Sequence, residues 1–177
     1  MRTSTSAAQV SQTIEVSRHI EASAAAIWEV LTDVERSPTR LRSVDAVRVV
    51  EGPEYRVGTS WFETRTLFGC SAEELLTVTE ADAPLATTIE ACHDGVHGVT
   101  RFTIEPTGGD GAGDDSAPSC LLTMRHSGGP ASTRLFDRLS WRLVGGYCVH
   151  TLESAMLDEV EDLAIAALAR ERVRPSH

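Results

Sequence analysis

Between Gly58 and Gly69 the chain reads Gly-Thr-Ser-Trp-Phe-Glu-Thr-Arg-Thr-Leu-Phe-Gly. A period of two places Trp61, Glu63, Arg65 and Leu67 on one face of a strand. That face mixes an indole, a carboxylate and a guanidinium with aliphatic carbon. A face built only for a core has no use for the charges, and a face built only for water has no use for Trp61. A ligand cavity needs both kinds. The stretch heads a run of strand-like segments and precedes one long helical tail.

The 177 residues are enough for one domain with a sizeable core. We expect a disordered polar tail over residues 1–12, a single ligand-binding domain over 13–170 and a short tail over 171–177. The formal net charge of -10 argues against nucleic acid or an anionic membrane surface as partner. No apolar run approaches the ~20 residues of a membrane-spanning helix, so no stable membrane association is expected. The opening Met1–Ala8 lacks the apolar core of a signal peptide, and a cytoplasmic location follows as the expectation. The four cysteines, Cys70, Cys92, Cys120 and Cys148, are widely spaced and read as free thiols. All sixteen basic residues are arginine. Schiff-base catalysis, lysine-anchored pyridoxal phosphate and a phosphate-loop lysine are thereby excluded. No cofactor is expected.

The order of elements follows from periodicity and punctuation. Ile14 and Val16 begin a first strand, and Ile20 extends it after a change of face or a bulge. Ser23 reads as the N-cap of a helix from Ala24 to about Val34, with Ile27, Val30, Leu31 and Val34 as its buried stripe. A second short helix or turn is expected near Thr39–Arg42, and a strand over Val44–Val50. Two hairpins follow. In Phe68-Gly69-Cys70-Ser71, a turn on Gly69-Cys70 sets Arg65 opposite Glu74, Glu63 opposite Leu76 and Trp61 opposite Val78. In His93-Asp94-Gly95-Val96, a turn on Asp94-Gly95 pairs Ile89 with Thr100, Thr87 with Phe102 and Cys92 with His97. Thr107–Ser119 reads as a loop and Cys120–His126 as the last strand. From Pro130 to about Ala169 apolar residues recur at three- and four-residue spacing. An unbroken helix of that length would span roughly 60 Å, so Gly145-Gly146 is expected to kink or break it.

This order resembles the START-like, Bet v 1-type helix-grip fold, and within it the bacterial SRPBCC group of polyketide cyclase/dehydrase type. The matching pieces are Ile14–Ala22, Ile27-Trp28-Glu29-Val30-Leu31-Thr32-Asp33, Val57–Arg65, Val78–Pro84 and Val160–Leu163. The resemblance spans about residues 13–169. It implies an α+β fold in which a curved antiparallel sheet wraps around a long C-terminal helix, with two short helices after the first strand. It also implies a cavity, and it leaves the chemistry open, because this fold hosts carriers, hormone binders and cyclases alike.

Glu63, Arg65 and Glu74 form the sharpest polar group. They act either as an anchor, with Arg65 holding a ligand carboxylate or enolate bidentately, or as a cross-strand salt bridge worth about 0.2–1 kcal/mol. His93 and His126 fall on the concave face and His150 beside the buried stripe, each either a cavity-mouth acid or base or a plainly hydrogen-bonded side chain. Trp61, Ile89, Phe102, Ile104, Leu122, Met124, Val149 and Met156 make the apolar wall, where core and cavity lining are the same residues. Cys92 with His97, and Cys148 with His150, offer two ligands each, short of the four of a structural zinc site. The reading is a binder of a hydrophobic, aromatic, polyketide-like or lipid-like small molecule. The alternative is an aromatase/cyclase-type enzyme using general acid/base chemistry on a polyketide-like intermediate. A protein-interaction role for the acidic surface ranks third, and a homodimer is compatible with any of them.

Overall fold

The computed structural model describes residues 12–51, 54–67, 70–93, 96–108, 117–130 and 135–173, with backbone alone at Gln12, Glu51, Leu67, Cys70, Cys92, His93, Val96, Gly129, Pro130 and 135–149. In chain order the elements are β1 (Gln12–Ile20), α1 (Ala24–Thr32), a 3-10 turn (Val34–Arg36), α2 (Ser37–Arg40) and β2 (Val44–Glu51). Then come β3 (Ser60–Leu67), β4 (Cys70–Asp82), β5 (Ala86–His93), β6 (Val96–Gly108), β7 (Ser119–Pro130) and α3 (Leu135–Val173). The seven strands form one antiparallel sheet in the order β1-β7-β6-β5-β4-β3-β2. This is the helix-grip architecture: a curved sheet whose hollow face is covered by α3, with α1 and α2 closing one side.

The hollow face carries the core. Ile14, Val16 and Ile20 of β1 are buried with Phe102, Ile104, Leu122 and Met124 of β6 and β7. Against them α3 lays Met156, Val160, Leu163, Ala164 and Ala167, all buried. Their three- and four-residue spacing forms a single stripe along the helix. Each large side chain so buried contributes about 1.5–3 kcal/mol. Ser23 caps α1 as its sequence suggests, its hydroxyl accepting from Ala26 N at 3.3 Å. It also donates to Glu171 Oε2 at 2.6 Å, which ties the start of α1 to the end of α3. Gly58 adopts φ +91° and turns the chain into β3, a conformation that side chains with a Cβ resist.

Several expectations need correction. β1 runs without a bulge from Gln12 to Ile20. Ile14, Val16, Arg18 and Ile20 share one face, and it is Arg18 that interrupts the apolar pattern, because its guanidinium reaches across to Glu161 of α3. In the β3–β4 hairpin Leu67 pairs with Cys70, so Cys70 is a paired strand residue and not part of the expected Gly69-Cys70 turn. Glu63 therefore lies opposite Glu74, Arg65 opposite Ala72 and Trp61 opposite Leu76. Each partner moves by two positions, so every side chain keeps its face. The β5–β6 hairpin pairs Thr87 with Phe102, Ile89 with Thr100 and Cys92 with His97, as its Asp-Gly turn requires. α3 passes through Gly145 and Gly146 without interruption. Two glycines cost a helix roughly 1 kcal/mol each against alanine, too little to end one this long. Glu171–Val173 belong to α3, and the rest of both expected tails, apart from Gln12 in β1, lies outside the described residues. No helix among the described residues is long and apolar enough to cross a membrane.

Candidate functional site

The period-two reading of β3 holds for Trp61, Glu63 and Arg65, while the side chain of Leu67 lies outside the described residues. Trp61 and Glu63 are buried and Arg65 is half-buried on the hollow face. Trp61 Nε1 donates to Glu63 Oε2 at 3.2 Å, and Arg65 Nε donates to Glu63 Oε1. The strand thus builds a string of indole, carboxylate and guanidinium from residues two apart.

The third member of the group is not Glu74 but Glu159. It sits on α3, only 7% exposed. Arg65 Nη1 donates to Glu159 Oε2 at 2.5 Å and Nη2 to Glu159 Oε1 at 3.3 Å, a bidentate clamp. Arg65 Nη1 also lies 3.3 Å from Ser43 Oγ. Burial by itself lowers the Arg65 pKa, but attraction to Glu159 and Glu63, with their hydrogen bonds, outweighs it and leaves it above its ordinary value. Glu74 shares the hollow face beside Glu63 and is half-buried.

Glu159 was legible in principle. It lies three residues after Met156 and four before Leu163, inside the buried stripe of α3. An acid in an apolar stripe announces a partner across the interface. The same stretch of α3 carries further acids, each met by an arginine. Arg42 Nη2 contacts Asp162 Oδ1 at 2.6 Å, Arg42 Nη1 contacts Asp158 Oδ1 at 3.1 Å, and Arg18 meets Glu161.

Trp61, Glu63, Arg65 and Glu159 line a cavity of about 40 Å³ with Ile89 and Phe102, closed on the far side by α1, α2 and Leu163. Beside it stands an aromatic group. Tyr55 packs edge-on to Trp28 at 6.0 Å between ring centroids and tilted against Trp61 at 6.4 Å. Tyr55 Oη is 2.9 Å from Thr87 Oγ1 on the floor of the sheet, and burial raises its pKa to about 12, the Thr87 bond pulling the other way.

His126 lies farther along the same face. Its Nδ1 is 2.9 Å from Thr100 Oγ1, the residue directly across on β6. A methyl group added at Gly98 would come 3.0 Å from His126 Cε1, and one at Gly128 would come 3.0 Å from Nε2. Gly98 and Gly128 face each other across β6 and β7, so this bare patch of sheet makes room for the imidazole. Burial lowers the His126 pKa; Glu159 opposes that shift and Arg65 reinforces it.

Of the other expected residues, Ile104, Leu122, Met124 and Met156 are buried in the core beyond this cavity. His150 does not line a mouth: its side chain is 93% exposed, 3.9 Å from Glu153. The side chains of Val149, His93, Cys92 and Cys148 lie outside the described residues. No cluster of metal-ligating side chains occurs among the described residues.

The sheet, its gripping helix and the mixed cavity between them define a START-like, Bet v 1-type protein. Residues 11–152 match the family profile of polyketide cyclase / dehydrase and lipid transport proteins, and the chain belongs to that family. No curated protein matches by sequence. Solved structures extend the likeness of fold. The Zhui aromatase/cyclase from a Streptomyces species superposes with a TM-score of 0.70 at 14% identity, covering 92% of this chain and 97% of that one. Norcoclaurine synthase from Thalictrum flavum, in complex with dopamine and hydroxybenzaldehyde, gives 0.64 at 16% identity, with 94% and 91% covered. A START superfamily protein from Mycobacterium smegmatis gives 0.58 at 16% identity, with 85% and 98% covered.

Proposed function

We propose that this chain is a cytoplasmic binding protein for a hydrophobic or aromatic small molecule, held in the hollow between the sheet and α3. One observation carries the reading. The buried Glu63–Arg65–Glu159 network faces a cavity whose other walls are Trp61, Ile89 and Phe102. A few convergent polar groups in an apolar hollow are the usual form of a small-molecule site. The membership of the family and the likeness to ligand-holding folds support it.

A second reading is an aromatase/cyclase-type enzyme, favoured by His126. It is paired to Thr100 through Nδ1, and no group among the described residues holds its Nε2. If the shared proton sits on Nδ1, Nε2 is a free base on the hollow face.

Native mass spectrometry of protein purified without denaturation tests both. A retained organic mass supports the binding site, and its absence from protein prepared under several growth conditions counts against it. Fresh ligand that returns unchanged marks a carrier, while a product of altered mass marks an enzyme.

A further inference from the structure

A second pocket, of about 580 Å³, opens between the C-terminal end of α1 and the β2–β3 connection. That volume lies within the usual range of small-molecule sites. Of the residues that line it, only Val34 also lines the hollow around Arg65. Trp28 and Tyr55 form an aromatic corner on its wall, their ring planes 85° apart and their centroids 6.0 Å apart. Tyr55 is fixed there by the contact of its hydroxyl with Thr87 and by its packing on Trp61, so it offers the pocket its ring. Val34 and Val49 add aliphatic surface.

The charged residues on the lining are Glu29, Asp33, Glu35, Glu54 and Arg170. Arg170 Nε donates to Glu29 Oε2 at 2.6 Å. Asp33 is met by Arg40 at 2.6 Å and Arg36 at 3.8 Å, neither of which lines this pocket. Glu35 and Glu54 are exposed, and neither side chain has an ion-pair or hydrogen-bond partner among the described residues. Arg56, two residues beyond Glu54, does not line the pocket. With all three of these paired arginines counted, acid is still in excess, and it is the two unpaired acids that face the pocket. The helix adds to this. α1 ends at Thr32, on the pocket wall, with no basic residue in its last turn. The carbonyl end of a helix carries partial negative charge and attracts cations. Arg40 engages one of those carbonyls, Val30 O, at 3.1 Å.

We infer that this pocket is a second binding site, and that it takes a flat aromatic molecule carrying a positive charge. The body lies against Trp28, Tyr55, Val34 and Val49, where two aromatic rings offer apolar area and attract a cation through their faces. The charge is met by Glu35, Glu54 and the carbonyl end of α1. A carboxylate on the same body meets two unpaired acids and the negative end of a helix, and is disfavoured. A corner whose rings are already held in place loses little freedom when a ligand enters, which favours binding. The inference is independent of the reading of the hollow, because Trp61, Glu63, Arg65 and Glu159 do not line this pocket.

The test uses the whole chain and three probes of one shape: 1-naphthylmethylammonium, 1-naphthylmethanol and 1-naphthoate, titrated at neutral pH and low salt. The indole N–H signals in an NMR spectrum, assigned with Trp28→Phe and Trp61→Phe, report where each probe sits. The ammonium should move the Trp28 signal more than that of Trp61. It should bind roughly fivefold more tightly than the alcohol, the margin of a cation at an aromatic face with exposed carboxylates beside it. The carboxylate should bind more weakly than the alcohol. Glu35→Gln with Glu54→Gln, both at exposed positions, should narrow the gap between ammonium and alcohol without weakening the alcohol. A Trp28 signal that none of the probes moves, or a larger shift at Trp61, overturns the second site and leaves the reading of the hollow untouched. A carboxylate that matches the ammonium overturns the preference for a cation. A gap unchanged in the double variant overturns the part given to Glu35 and Glu54.

Discussion

Arg65 of β3 and Glu159 of α3 clamp the helix to the hollow of the sheet, with Arg65 Nη1 at 2.5 Å and Nη2 at 3.3 Å from the two carboxylate oxygens. Glu63 completes the group from the same strand as Arg65. The arrangement binds the last element of the chain to the middle of the sheet through charge as well as packing.

Arg65→Met leaves two buried carboxylates facing each other. Losing one partner of a fully buried pair costs about 3–5 kcal/mol. The Arg65 side chain keeps 28% exposure, which places the expected loss at or below the lower end, about 3 kcal/mol. Adding Glu159→Leu removes one stranded charge and should restore part of the stability. Urea unfolding of the single and double variants measures the difference. Equal midpoints would show that the two residues are not coupled.

Alanine at Gly98 or Gly128 places a methyl group 3.0 Å from the His126 ring. The ring has to tilt away from the sheet, and overpacking of this kind costs about 1–3 kcal/mol. Tilting exposes the imidazole, so its pKa should climb back toward the ordinary value. An NMR titration of the His126 ring protons follows this directly, and an unmoved titration in both variants refutes the account of the bare patch.

His126 also gives the protein a defined acid limb. Its folded pKa lies below the ordinary 6.5, with burial the main cause. The stability this contributes is fully present above about 6.5 and is lost as pH falls through the folded pKa, because the unfolded chain takes up the proton first. His126→Gln keeps a partner for Thr100 and cannot charge. Its Tm should fall less than that of the wild type between pH 7 and pH 5. Parallel curves would remove His126 from the acid response.

Tyr55 predicts the opposite limb. Burial raises its pKa to about 12, so its neutral form is favoured in the folded state. That stability holds below the unfolded value near 10 and is lost as pH rises through the folded one. A phenolate absorbance titration of the wild type minus Tyr55→Phe should show a component rising only toward pH 12. A component centred near pH 10 would mean that the Tyr55 hydroxyl is open to water.

The parts of the fold that were legible in the amino-acid order are those written in short-range pattern. Ser23 before an apolar run gave the start of α1, Asp94-Gly95 gave the β5–β6 register, and alternation through Trp61, Glu63 and Arg65 gave the hollow face. The misplaced residues follow from long-range or ambiguous signals. Gly69 can occupy either central position of a two-residue loop, and the wrong choice put Glu74 opposite Arg65 in place of Ala72. Arg18 disguised a straight strand as a bulged one, because its partner Glu161 lies more than a hundred residues away. Glu159 was hidden for the same reason: pattern along α3 shows that it faces inward, but not that Arg65 waits there. His126 was on the expected face, while the two glycines that make room for it become meaningful only when β6 and β7 lie side by side.

The sheet order carries a consequence for how the chain is assembled. β1 is the first strand made, yet its sole neighbour in the sheet is β7. Ile20 cannot find Cys120 until most of the polypeptide has left the ribosome. The hairpins from β3 to β6 can zip locally in the meantime, but β1 and the apolar underside of α1 have nothing to rest on. Such distant pairings are formed slowly, after a long loop has been closed. The nascent protein therefore passes through a stage with an unpaired leading strand and a greasy first helix, and that stage, rather than the finished fold, is where aggregation or a chaperone would take hold.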